Sequence, residues 1–170
     1  MNRNEIEKTA QKLLIECNQN EPPINVFNIA ECIGINVIDK DFGDQVSGVI
    51  VIKDGKAKIG FNSNHVEERI RFTIAHEIGH FILHRSQMDF FIDNTYYALR
   101  DDNSSKGEFK MEREANGFAA ALLMPKKLII EEIKKINFDI ADENSLNILS
   151  KKFKVSTQAM SFRLANLRIF

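Results

Sequence analysis

The 170-residue sequence predicts an α+β fold that is mainly helical, contains a small β-hairpin and closes with two short helices. Apolar residues recur at helical spacing along most of the chain, which is typical of amphipathic helices. Residues 49–52 are instead an unbroken run of Val and Ile, which favours a strand. Asp54-Gly55 then predicts a tight turn, so that residues 57–61 return as the partner strand.

Capping residues and helix breakers predict where each helix begins and ends. Asn4, with Glu7 three residues later, predicts the start of the first helix. Asn64, with Glu67 three residues later, predicts another start in the same way. The helices after the first are predicted at residues 25–33, 64 to about 84, 108–124, 125 to about 136, about 143–153 and about 157–168. Residues 85–107 have no clean period and are predicted as a long loop.

Composition and charge are those of an ordinary soluble domain. Hydrophobic residues make up 44% of the chain and charged residues 28%, and the formal net charge is -1. The N-terminal residues lack the apolar core of a signal peptide, and the longest apolar run, residues 118–124, is far too short for a membrane span. Cys17 and Cys32 lie in helical stretches without a CxxC spacing, which predicts reduced core cysteines. We therefore expect a cytoplasmic protein without a membrane partner.

Residues 76–80, His-Glu-Ile-Gly-His, form an HExxH motif on the predicted helix that begins at residue 64. Histidines four residues apart lie on one helix face, so His76 and His80 can bind the same metal ion. Glu77 lies beside them, where it can act as a general base. The alternative is a pair of surface histidines on an amphipathic helix. We favour the metal site, because a separate apolar stripe already accounts for the packing of this helix.

A metal held by two histidines needs a third protein ligand. His84 continues the spacing of four, but three histidines along one helix would spread over about 12 Å, which favours a role at the helix end or behind a ligand. The helix at residues 108–124 offers Glu112, with Asn116 one turn later to orient a ligand histidine. Glu114 points about 200° away from Glu112, so we expect it to be exposed or salt-bridged and keep it as the fallback ligand.

Two segments resemble the ImmA/IrrE family of metallopeptidases. They are RFTIAHEIGHF at residues 71–81 and EREANGFAAALLMP at residues 112–125. The resemblance implies a minimal zincin-like fold, with metal ligands His76, His80 and Glu112 and with Glu77 as the catalytic residue. It also implies site-specific cleavage of a helix-turn-helix repressor, which would derepress mobile-element, prophage or stress genes. The chain resembles the short, mobile-element members, without the additional sensor domain of longer ones.

Four further residues are candidates for supporting roles. Thr73 shares the polar stripe of His76 and could support the ligands from behind. Tyr96 and Tyr97, in the predicted loop, could stabilise an oxyanion, although such tyrosines more often simply pack. Gly79 costs about 1 kcal/mol in a helix relative to alanine, which predicts a close neighbour, either a strand or the second ligand helix.

The closing helices raise the question of DNA binding. Residues 151–170 contain no acid and five cations, which are Lys151, Lys152, Lys154, Arg163 and Arg168. The helix pair resembles a helix-turn-helix, in which Arg163 would contact DNA. We favour a helical hairpin at residues 141–170 that docks on a metallopeptidase domain at residues 1–140.

These observations predict a metalloendopeptidase that holds one Zn²⁺ per chain, with Mn²⁺ or iron as alternative metals. The expected partner is a protein substrate, a helix-turn-helix transcriptional repressor. Two other functions remain open. One is a repressor antagonist that binds without cleaving, which would not need Glu77, and the other is a DNA-binding regulator that uses the closing helices.

Overall fold

The computed structural model describes residues 1–43, 46–53, 55–85, 90–94, 105–136, 138–139 and 142–169. Within these residues the elements are, in chain order, α1 (Arg3–Glu16), α2 (Val26–Cys32), β1 (Ile35–Lys40), β2 (Val46–Lys53), β3 (Lys56–Asn62), α3 (Glu67–His84), β4 (Phe90–Asn94), α4 (Ser105–Leu123), α5 (Lys126–Lys135), α6 (Glu143–Phe153) and α7 (Thr157–Leu167). The predicted α+β class is confirmed. Among the described residues, no helix combines the length and the apolar character that a membrane span requires.

The four described strands form one sheet in the order β1-β3-β2-β4. Strands β2 and β3 are the predicted hairpin, and Gly55 occupies its turn with a φ of +73°. Strand β1 runs parallel to β3, and β4 pairs antiparallel with β2 at the other edge. Strand β4 falls inside the predicted loop at residues 85–107, so that part of the prediction was wrong. Its five residues show no alternation of their own, and long-range pairing with β2 decides their conformation.

The starts of α1, α3 and α4 differ from the prediction, and α4 begins at Ser105 rather than at residue 108. Helix α1 begins two residues earlier than Asn4 suggested, at a capping box in which the Asn2 side chain accepts from the Glu5 amide at 3.0 Å. The Glu5 carboxylate accepts in return from the Asn2 amide at 2.8 Å. Helix α3 begins after Val66 without a side-chain cap, so Asn64 is not its N-cap. The start of α1 was misplaced because Asn2 and Asn4 are each followed three residues later by a glutamate.

Helices α3 and α4 are in close backbone contact at Gly79. A Cβ atom on Gly79 would lie 3.2 Å from both the Cα and the carbonyl oxygen of Ala115 and 3.2 Å from the Phe118 ring. Gly79 therefore lets the two backbones approach, and the predicted close neighbour is the second helix, α4. The buried apolar side chains of the described residues form one cluster, which includes members of α1, α3, α4, α6 and α7.

Cys17 and Cys32 are joined by a disulfide, with their Cα atoms 5.9 Å apart. The prediction of reduced cysteines was therefore wrong. Cys17 is the C-cap of α1 and Cys32 is the last residue of α2, so the turn between the two helices brings both helix ends together. The spacing of 15 residues alone does not indicate this approach.

The closing helices are tied to the rest of the chain by two arginines. Arg163 on α7 is buried, donates to the Met124 carbonyl at 2.9 Å and forms a bidentate ion pair with Glu7 of α1. Arg71 on α3 donates to the Lys154 carbonyl, between α6 and α7, at 3.1 Å. These contacts favour the docked hairpin, while the proposed boundary near residue 140 stays a prediction.

Replacing Arg163 should destabilise the fold more than replacing Arg168, the exposed C-cap residue of the same helix. Arg163→Met leaves the Glu7 carboxylate and the Met124 carbonyl without their donor, so we expect the free energy of unfolding to fall by about 2 kcal/mol. Urea denaturation followed by circular dichroism measures it. Arg168→Met, at an exposed position, should change it by less than about 0.5 kcal/mol. Equal losses in the two variants would contradict this account of α7.

Candidate metal centre

The middle of α3 buries a polar face. His76, Glu77 and His80 are 3%, 0% and 1% exposed, respectively. Buried polar groups are costly unless other groups satisfy them, so this face requires polar partners from neighbouring elements. Helix α4 supplies several of these partners, because Gly79 allows it to lie directly against this part of α3.

Glu112 on α4 brings a carboxylate to both histidines. Its Oε2 atom lies 3.2 Å from His76 Nε2, and its Oε1 atom lies 3.0 Å from His80 Nε2. The two Nε2 atoms are 2.9 Å apart. The structure thus brings together the three residues predicted as ligands, and the cluster could hold a metal ion.

The spacing of these atoms fits a small divalent cation. A tetrahedral zinc ion, with bonds of about 2.0–2.1 Å, keeps its ligand atoms about 3.3 Å apart. The observed separations of 2.9–3.2 Å are close to this value. The Glu112 side chain is 44% exposed, whereas those of His76 and His80 are 4% and 2% exposed. The cluster is therefore open to solvent on the Glu112 side, as a site that takes a substrate must be.

Asn116 orients the first histidine. His76 Nδ1 lies 3.0 Å from Asn116 Oδ1. An amide oxygen only accepts, so Nδ1 carries the hydrogen and the lone pair of Nε2 faces the cluster. The sequence predicted this contact from the spacing of four between Glu112 and Asn116.

A chain of side chains extends behind the second histidine. His80 Nδ1 lies 3.3 Å from His84 Nδ1, and His84 Nε2 lies 3.0 Å from Glu114 Oε2. Since a carboxylate only accepts, His84 Nε2 is the donor, and a neutral His84 then accepts from His80 Nδ1. This arrangement leaves the lone pair of His80 Nε2 directed at the cluster. The N-terminal ammonium of Met1 also pairs with Glu114.

Glu114 is thus buried and ion-paired behind the site. The sequence predicted that it would be either exposed or salt-bridged, and the structure shows the second. It lies on a different side of α4 from Glu112, which disfavours it as the fallback ligand. Hydrogen bonds from the N-terminal ammonium and from His84 outweigh the effect of burial and hold the pKa of Glu114 below its ordinary value. The carboxylate therefore remains a charged acceptor at neutral pH.

The electrostatics of the cluster suit a metal ligand set. Burial lowers the pKa of His80, because desolvation disfavours the imidazolium form, and Glu112 only partly opposes it. Burial alone would raise the pKa of Glu112, but hydrogen bonds with His76 and His80 outweigh it and hold that pKa well below its usual range. Neutral imidazoles and an ionised carboxylate are the forms that bind metal ions.

Strand β2 packs over the part of α3 that carries Thr73 and Glu77. A Cβ atom on Gly48 would overlap Thr73 Cγ2 and would lie 3.4 Å from Glu77 Oε1. Thr73 is therefore buried against the strand, and its suggested support of the ligands stays a prediction. Sequence reasoning missed Gly48, although a lone glycine in a strand often marks a close backbone approach. Tyr96 and Tyr97 lie outside the described residues, so their suggested role stays a prediction.

Two buried histidines and a carboxylate around a buried glutamate are typical of metallopeptidases. Residues 30–165 match the model of peptidase family M78, the IrrE N-terminal-like domain. The chain therefore belongs to this metallopeptidase family, and the predicted family membership is confirmed.

Two curated relatives agree with this assignment. Metallopeptidase ImmA of Bacillus subtilis (strain 168) is 28% identical over 112 residues, which are 66% of this chain and 61% of that protein. Uncharacterized immunity region protein 2 of Bacillus phage phi105 is 29% identical over 124 residues, 72% of each chain. The match thus spans less than two thirds of the length of ImmA.

A solved structure supports the fold independently. A Mycobacterium tuberculosis transcriptional regulator superposes with a TM-score of 0.67 and 16% sequence identity. The match covers 95% of this chain and 46% of that chain. At this level of identity the likeness shows the fold alone.

Neutralising Glu114 should weaken metal binding although Glu114 is not one of the three clustered residues. In Glu114→Gln the charged acceptor that orients His84, and through it His80, is lost, so we expect Zn²⁺ affinity to fall by about 10- to 100-fold. Competition with a chromophoric chelator measures the affinity. Glu68→Gln, an exposed position on α3, is the matched control and should bind Zn²⁺ like the wild type. Unchanged Zn²⁺ affinity in Glu114→Gln would show that His84 and Glu114 do not orient His80.

Proposed function

We propose that this protein is a zinc-dependent metalloendopeptidase that cleaves a regulatory protein, in particular a helix-turn-helix transcriptional repressor. The proposal depends chiefly on the convergence of His76, His80 and Glu112 beside the buried carboxylate of Glu77. Membership of a metallopeptidase family supports the same reaction class.

In this proposal, His76, His80 and Glu112 hold the metal through Nε2, Nε2 and a carboxylate oxygen. A divalent cation bound there would supply Lewis acidity for the hydrolysis of a peptide bond. Two histidines and a carboxylate suit zinc, and manganese is the principal alternative. Asn116 and His84 hold the two imidazoles in the orientation that binding requires.

Glu77 is the proposed general base. Its carboxylate is fully buried between α3 and β2, one residue after His76. There it can accept the proton of the attacking water and donate it to the leaving nitrogen of the cleaved bond. Burial keeps bulk water away from this carboxylate, and packing fixes its position relative to the cluster.

The proposed substrate is a helix-turn-helix transcriptional repressor. A repressor substrate follows from the family resemblance, and one relative is named as an immunity region protein of a phage. Such a protein would act by removing a repressor and so derepress mobile-element, prophage or stress genes. The half-exposed side of Glu112 gives a protein segment access to the cluster.

Direct DNA binding is the less favoured function. Arg163, the cation expected to contact DNA, is buried and held by Glu7 and the Met124 carbonyl. Lys154, in the turn before α7, pairs with Glu67 at 2.8 Å. A helix whose central arginine is committed to the core has little positive charge left with which to bind phosphates.

A cleavage assay tests the proposed function directly. Wild type, Glu77→Gln and Glu68→Gln, each with one equivalent of Zn²⁺, are mixed with the helix-turn-helix repressor encoded nearest to this protein. Intact-mass spectrometry then detects fragments. We expect one cut by wild type and by Glu68→Gln, and a rate reduced by about 10²-fold or more in Glu77→Gln, because a general base contributes about 10²–10⁴.

Three controls make the result interpretable. Zn²⁺ content is measured for each variant, and removal of the metal by a chelator should abolish cleavage. Complex formation is followed by size-exclusion chromatography. A stable complex without a cut, with Zn²⁺ bound, would reject the peptidase and favour the antagonist that binds without cleaving. Cleavage by Glu77→Gln at the wild-type rate would reject Glu77 as the base.

A further inference from the structure

A groove lies on the side of the molecule formed by α1, the start of α5 and the end of α7. Its cavity volume is about 520 Å³. Ala121 of α4 lines the groove, nine residues after Glu112. Nine residues correspond to about 13 Å along a helix and about half a turn around it. The groove therefore opens on the face of α4 away from the metal cluster, and the proposed catalytic site does not account for it.

The charge of this groove is strongly positive. It is lined by five cations, which are Arg3, Lys8, Lys126, Lys127 and Arg168. Its carboxylate, Glu7, is neutralised by the ion pair with Arg163. Of these five cations, only Lys127 forms a salt bridge within the described part of the chain. Its partner is Glu131, at 3.9 Å, and both side chains are exposed. Such a pair contributes little, so the cations remain available to a ligand.

Three of these cations occupy positions that helices disfavour. Arg3 is the first residue of α1, and Lys126 and Lys127 are the first two residues of α5. The helix macrodipole places partial positive charge at these ends, where acidic residues are stabilising and cations are not. The first turn of α5 contains no acid. An anionic partner bound here would offset the unfavourable interaction of these side chains with the helix dipoles.

The floor of the groove is aliphatic. Leu14, Ala121 and Leu128 are buried side chains at its base, and Ile15, at its rim, is 70% exposed. Asparagine and glutamine side chains from α1, the following turn and α7 also line it and can hydrogen-bond to polar side chains of a bound helix. No aromatic side chain is among the lining residues, which disfavours base stacking of single-stranded nucleic acid. A recess also cannot enter a groove of duplex DNA.

We propose that this groove binds an acidic amphipathic helix of a protein partner, with its leucine-type side chains on the aliphatic floor and its carboxylates against the five cations. Helices commonly dock into grooves in this way. The inference does not depend on the proposed peptidase activity, because the groove and the cluster lie on opposite faces of α4. A partner bound there leaves the open side of Glu112 accessible.

The test is a binding titration with a defined probe. The probe is a fluorescein-labelled peptide of about 14 residues, with leucines at helical spacing and glutamates elsewhere. It is titrated with Glu77→Gln protein, so that cleavage cannot interfere, at about 100 mM salt, and fluorescence anisotropy reports binding. A scrambled peptide of the same composition and a labelled DNA duplex of about 20 base pairs serve as competing probes.

Charge reversal locates the binding. K126E/K127E should weaken binding of the helical peptide by about tenfold or more, because two attractive contacts become repulsive. K151E/K152E is the matched control, since these are also adjacent, exposed lysines of a helix and carry the same change of charge. It should alter the affinity by less than about twofold. Circular dichroism and thermal unfolding confirm that both variants are folded.

Four outcomes would overturn the proposal. They are absence of peptide binding, equal binding of the scrambled peptide, equal losses in K126E/K127E and K151E/K152E, and tighter binding of the DNA duplex with the same dependence on Lys126 and Lys127. The last would identify the groove as a nucleic-acid surface. None of these results bears on cleavage at the metal cluster, so the two proposals fail separately.

Discussion

The close approach of α3 and α4 is the constraint on which the rest of the site depends. Because Gly79 has no side chain, the backbone of Ala115 lies at contact distance from α3. Three polar side chains of α4 then reach the buried polar face of α3: Glu112 meets both Nε2 atoms, Asn116 meets the first histidine, and Glu114 meets His84. A helix that buried these histidines without such partners would carry unsatisfied polar groups in its core. The close packing of α3 against α4 therefore also brings together the side chains of the candidate metal site.

The opposite faces of α4 carry different chemistry. One face holds Glu112 and Asn116 against α3, while the other, at Ala121, forms the base of a positively charged groove. Strand β2 closes the third side of the site by packing Gly48 over Thr73 and Glu77. The side chains of His76 and His80 are thus buried, whereas that of Glu112 is partly exposed. Packing against β2 holds the proposed base in position, and among the three clustered side chains the exposed one, Glu112, offers access to a substrate.

Much of the local structure could be predicted from the sequence, because local patterns determine it. The HExxH spacing, the helix ends near residues 84 and 153, and the hairpin at Gly55 all follow from contacts a few residues apart. The convergence of Glu112 on the two histidines was also predictable, since helical spacing places Asn116 on the same face as Glu112. The family resemblance agrees with this ligand assignment, which stays a prediction.

What the sequence could not supply depends on long-range contacts. Strand β4 has no pattern of its own and is defined by its pairing with β2. The disulfide between Cys17 and Cys32 requires the path of the chain between α1 and α2. Arg163 was read as a surface cation, because a single sequence does not show that Glu7, 156 residues away, is its partner. Gly48 was overlooked for the same reason, since its neighbours lie on another element.

The most direct measurement is a crystal structure of the Zn²⁺-loaded protein with anomalous data collected at the zinc edge. The account predicts one strong anomalous peak per chain, about 2.0–2.2 Å from Nε2 of His76, Nε2 of His80 and a carboxylate oxygen of Glu112. Zinc bound elsewhere, or bound to the two histidines with Glu112 turned away, would contradict the central claim that these three side chains form one metal site.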